Sequence, residues 1–132
     1  MNQSIAGGLT AFAASVITFA FGGWSDLIKL LLVAIAIDYI TGVAAVLKEK
    51  SGLNSNVGFW GLAKKGFILL VILLAHRIDV MMQTDVIMNA AVYFYLMNEL
   101  ISITENYGRL GLPLPKRIKN IIADLKNKND KD

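Results

Sequence analysis

The chain has 132 residues, of which 55% are hydrophobic, and a formal net charge of +3. Cysteine is absent and histidine occurs once, which excludes a disulfide framework and a thiolate metal site and argues against a zinc enzyme. The apolar residues fall in long blocks, so the expected class is a single all-α integral membrane domain over 1–132, with three to four transmembrane helices and a short basic amphipathic C-terminal helix.

Residues 5–21, IAGGLTAFAASVITFAF, carry no charge and reach the short limit for a span. They form either a first span or a helix lying in the interface. No basic stretch precedes them, so they read as a retained helix rather than a removable leader. Gly7, Ala11 and Ser15 fall four apart, a spacing that lets helices approach closely in lipid. Residues 22–26, GGWSD, read as a turn with an interfacial tryptophan and with Ser25 or Asp26 capping the next helix.

Residues 27–47 are the central span. They hold only two ionisable side chains, Lys29 near one end and Asp38 near the middle, and they stop at the charged Lys48, Glu49 and Lys50. A helix of that length covers about 30 Å, the thickness of a bilayer's hydrocarbon core. A carboxylate at mid-depth costs roughly 2.5–3.5 kcal/mol on insertion scales, so Asp38 is expected to face protein or water. Ala34, Thr41, Gly42 and Ala45 share its face, while Leu30, Ile37, Ile40 and Leu47 form the other.

Residues 51–58 are polar and glycine-punctuated, hence a loop. Phe59 and Trp60 follow as interface aromatics, with Lys64 and Lys65 as membrane-surface bases. A second span runs over 60–82, interrupted late by His76, Arg77 and Asp79, and ends in a turn at 83–85 with Thr84 or Asp85 as a cap. A third span covers 86–106 and carries a polar stripe of Tyr95, Asn98, Glu99, Ser102 and Asn106. Gly108, Gly111, Pro113 and Pro115 end it. Residues 115–126 then form an amphipathic helix in which Ile118, Ile121, Ile122 and Leu125 line up beside Lys116, Arg117 and Lys119, a pattern suited to an anionic membrane surface. Residues 127–132 are a polar tail.

Lys and Arg number four in the stretch 48–65 and seven from Arg109 onward, against one in 76–85. By the positive-inside rule the first two regions are cytoplasmic, which places the C-terminus inside. The charge is thus a topology signal and not a nucleic-acid footprint.

Counted from their cytoplasmic ends, Asp38, Arg77 and Glu99 lie about 14, 18 and 15 Å deep. The expectation is that Asp38 and Glu99 meet Arg77 or His76, within a subunit or between subunits, because opposite charges offset part of each other's insertion cost. The faces Ala34–Asp38–Gly42–Ala45 and Asn98–Glu99–Ser102 are the candidates for helix packing or for lining a pore. No nucleophile, phosphate loop or cofactor motif accompanies these residues, so neither an enzyme nor a cofactor is expected.

Three stretches together resemble one family. They are FGGWSDLIKLLLVAIAIDYITGVAAVLKEK at 21–50, VGFWGLAKKGFILLVILLAHRID at 57–79, and NELISITENYGRLGLPLPKRIK at 98–119. In that order they are similar to the phage-lysis and toxin-secretion holins of Gram-positive bacteria and their phages. The resemblance implies a protein of the host's cytoplasmic membrane that forms homo-oligomers and opens timed lesions. Through these an endolysin, or in relatives a toxin, crosses without needing direct contact. From the residues alone, two other readings stay open: a small ion-channel or transporter subunit with a path along Asp38 and Glu99, and a membrane adaptor whose tail recruits a partner.

Overall fold

The computed structural model describes residues 2–50, 52 and 54–131. Ser51 and Leu53 of the expected loop and Asp132 of the tail lie outside them. Five helices follow in order: α1 (Gln3–Phe21), α2 (Asp26–Lys48), α3 (Ser55–Met82), α4 (Val86–Leu110) and α5 (Lys116–Lys131). The first four are each long and apolar enough to cross a membrane. No strand occurs among the described residues.

Short polar side chains start the helices where the local sequence predicts turns. Asn2 accepts a hydrogen bond from the Ser4 N–H, Ser25 from Ile28 and Asn54 from Val57, each satisfying an N–H that the first turn leaves open. The Asn54 cap sets α3 apart from the expectation. The helix begins at Ser55, five residues before the expected start at Trp60, and so absorbs Ser55, Asn56, Val57 and Gly58 from the expected loop. α4 likewise runs to Leu110, past the expected end at 106.

Consecutive helices alternate in direction, so α2 and α4 are parallel. They pack along each other, α3 packs on α4, and α1 packs on α3. The core where these meet comprises Ile28, Leu31, Ala34, Ile72, Val92, Leu96 and Ile103. Its outside is inverted relative to a water-soluble bundle. Ile40 on α2 is 64% exposed, Leu70 on α3 57% and Phe12 on α1 70%, and many large apolar side chains share this exposure. A continuous apolar exterior of this extent is matched by acyl chains, not by water.

At the α1–α2 turn, Gly22 adopts φ +74°, and a Cβ placed there would stand 2.7 Å from Cε1 of His76. Glycine therefore serves both the left-handed cap and the close approach of the turn to α3.

Candidate functional site

The site lies where α2, α3 and α4 meet, toward the end of the bundle that holds Lys48 and Arg109. Lys65 extends from α3 between two carboxylates, with Nζ 2.7 Å from Asp38 Oδ2 and 2.7 Å from Glu99 Oε2. The three side chains are only 14%, 12% and 6% exposed. Asn106 completes the group. Its Nδ2 donates to Asp38 Oδ1 at 2.8 Å, and lies 3.0 Å from both the Asp38 carbonyl and Thr41 Oγ1. One ammonium thus faces two carboxylates, and an amide donor takes up the remaining Asp38 oxygen. The shared cation and the hydrogen bonds from Lys65 and Asn106 offset much of the cost of holding two carboxylates in a low-dielectric interior.

Within the subunit, therefore, the base that meets Asp38 and Glu99 is Lys65, not the expected His76 or Arg77. The reason is the early start of α3. Lys65 is eleven residues beyond the Asn54 cap, about 16 Å into the helix, at the same level as Asp38 and Glu99. It is not the membrane-surface base it was expected to be, whereas its neighbour Lys64 is exposed. His76 and Arg77 are three turns further along. His76 sits beneath Gly22, and the Arg77 guanidinium lies 4.4 Å from the centroid of the Phe19 ring, so both hold α1 to α3.

The small residues of the α2 face serve packing. Ala34 and Ala45 are buried, and Gly42 has Asn106 Nδ2 3.5 Å from where its Cβ would be. Of the α4 face, Glu99 is buried in the ionic group, Ser102 is half-buried and Asn98 is exposed. Beside the group opens a cleft of about 290 Å³, lined by Tyr39, Gly58, Lys65, Ser102, Glu105 and Arg109 among others. Tyr39 closes one edge by donating to the Gly58 carbonyl at 3.3 Å.

Two contacts tie the same ends of α2 and α4. Lys48 Nζ donates to the Leu110 carbonyl, one of those the helix terminus leaves open. Arg109 grips Glu49 with both Nε and Nη2, at 2.9 and 3.0 Å. That hydrogen bond holds the Glu49 carboxyl below its usual value of 4.5. Lys116, Arg117 and Lys119 are exposed on α5.

Asp79 has a role the sequence does not advertise. It is buried at the opposite end of the bundle, and its carboxylate caps α4 across the turn. Oδ1 accepts from Thr84 Oγ1 at 2.6 Å and from the Ile87 N–H at 3.0 Å, and Oδ2 from the Met88 N–H at 2.8 Å. Asp85, one of the two expected caps, makes no side-chain capping bond. Among the described residues no three His, Asp or Glu side chains gather to hold a metal ion.

The bacteriophage holin family matches residues 15–127 of the chain. An uncharacterized protein of Halalkalibacterium halodurans is 42% identical over 92% of this chain and 93% of its own length. An uncharacterized protein of Clostridium perfringens is 42% identical over 90% of this chain and 89% of its own. A probable holin of Bacillus phage phi105 is 36% identical over 78% of this chain and 76% of its own. No solved structure matches. With four apolar helices, three of them meeting at a buried ionic group, and a family match over most of its length, the chain is a multi-pass protein of the cytoplasmic membrane and belongs to the bacteriophage holin family.

Proposed function

We propose that this protein accumulates in the cytoplasmic membrane, associates with copies of itself and opens timed holes that release a muralytic enzyme from the cytoplasm. The observation that carries the proposal is the family match, joined by likeness to a probable phage holin over most of both chains. The physical character of the subunit supports it. A hole-forming protein must rest in lipid as single copies and still possess polar surface able to face water when copies assemble.

In this reading the four-helix bundle is the closed form. The small and polar faces of α2 and α4 are mated through Asp38, Lys65, Glu99 and Asn106. Lining an aqueous hole with Asp38, Glu99 and Ser102 requires α2 to part from α4, or the neighbouring cleft to widen. The Lys48 end faces the cytoplasm, since Lys48, Lys50, Arg109 and the basic residues of α5 gather there, and α5 lies against anionic headgroups.

Co-expression with a cytoplasmic muralytic enzyme tests the proposal. The expected result is abrupt lysis with collapse of the membrane potential. Graded ion flux without escape of a folded enzyme would replace it with the reading of a small channel subunit using Asp38 and Glu99.

A further inference from the structure

Polar side chains inside apolar helices need partners, and many of those in this subunit find them within the bundle. Thr10 and Ser15 of α1 donate to carbonyls of their own helix, as does Thr104 of α4. Asp38, Thr41, Lys65, Glu99 and Asn106 satisfy one another. Asn98 is different. It is the middle residue of the 25 that form α4, it is exposed, and it makes no side-chain hydrogen bond to any described residue. Its immediate neighbour Glu99 points the other way, into the ionic group.

The surface around Asn98 changes character along the helix. Toward the Asp79 end the neighbouring exposed surface of α4 presents Phe94 and Ala90, which suit acyl chains. From Asn98 toward Leu110 it presents Ser102, half-buried, and then Glu105 and Arg109, both exposed. An amide carries two donors and an acceptor in one group, so it is complementary to another copy of itself. Acyl chains offer it nothing, and the small Ser102 one turn further along allows a second helix to come close.

We propose that this side of α4 is where a second copy of the chain docks, with the two Asn98 amides hydrogen-bonded to each other at the centre of the contact. The proposal rests on the reading of the protein as one that assembles from its own copies, and it names the surface. In the membrane the two copies share one orientation, so the two α4 helices run parallel and the interface is the same patch on both. Glu105 then lies near the water interface, where its charge is solvated and screened.

The absence of cysteine makes the test direct. Full-length Asn98→Cys protein in membrane vesicles is expected to form a disulfide-linked dimer on mild oxidation. Leu70→Cys on α3 and Ile40→Cys on α2, at comparably lipid-exposed positions, are expected to stay monomeric. Energy transfer between labelled copies should fall with Asn98→Leu, by about tenfold in association constant, the loss expected for one interhelical polar pair in lipid. Asn98→Gln should retain most of the association. Leucine suits a lipid-facing helix, so Asn98→Leu separates loss of docking from loss of folding.

The idea fails if the Asn98→Cys protein stays monomeric while the Leu70→Cys or Ile40→Cys protein cross-links, or if Asn98→Leu associates as the unaltered chain does. It also fails if the thiol of the Asn98→Cys protein reacts with a water-soluble maleimide without cross-linking, which would place Asn98 in a lumen. Association is read without lysis. Docking at Asn98 without enzyme release would overturn the functional proposal alone, and lysis with no docking at Asn98 would overturn this one alone.

Discussion

α2 and α1 are both apolar helices long enough to cross a bilayer, yet they are held in different ways. α2 carries one half-buried, ion-paired carboxylate and packs along α4 through an ionic group, a lysine on a helix terminus and a bidentate arginine pair. α1 carries no charge, buries only Ala20 fully, and is held to α3 through the Phe19–Arg77 stack and the Gly22–His76 approach. In lipid, burying apolar surface does not by itself distinguish a helix partner from an acyl chain. The few polar groups therefore decide which helices stay together, and α1, with almost none, is the part of the molecule most readily displaced.

The sharpest way to break that contrast is Lys65→Met. It strips the counter-charge from two carboxylates and should cost about 3–5 kcal/mol, the range for breaking a buried ion pair, seen as loss of membrane accumulation or of thermal stability in detergent. Lys64→Met, one residue away and exposed, should change stability by no more than about 0.5 kcal/mol. Combining Lys65→Met with Asp38→Asn and Glu99→Gln should recover most of the loss, because no uncompensated charge remains.

Asp79→Ala comes next. It removes three hydrogen bonds at the start of α4, so amide exchange at Ile87 and Met88 should accelerate while amides near Glu99 hold. Phe19→Leu should loosen α1 by roughly 0.5–1 kcal/mol without disturbing α2 and α4, measured as faster proteolysis confined to α1 and the turn that follows it.

The smallest effect belongs to Glu49→Ala, since that pair is solvent-exposed and screened by salt. Its sign with pH is fixed by the lowered Glu49 value. The contribution is complete above about pH 4.5 and disappears as the pH falls through the folded-state value beneath it. Thermal stability compared across that window with and without the substitution checks it.

Much of this architecture is legible from residue pattern because a bilayer imposes strict lengths. The four apolar helices, the Ser25 cap and the inward turn of Asp38 and Glu99 follow from block length, local capping chemistry and the expense of an exposed carboxylate. The partner of those carboxylates is hidden for one reason. Residues 54–59, NSNVGF, have the composition of a loop, which makes Lys65 read as a helix end, whereas the Asn54 cap makes it an interior residue. Depth counted from Lys65 therefore starts from the wrong residue. Asp79 escapes any local rule, since its reach to Ile87 and Met88 depends on the left-handed Gln83 that folds the turn back. The polar stripe of α4 is visible in spacing, but only packing separates Glu99 and Asn106, which point inward, from Asn98, which does not.

The parallel pairing of α2 with α4 has a consequence for biogenesis. Asp38 is synthesised 27 residues before Lys65 and 68 before Asn106. A nascent α2 therefore meets the translocation machinery with a carboxylate that nothing yet neutralises. Its cation and its amide exist only once α3 and α4 have been made, so the polar centre of the bundle can close only when α4 is complete.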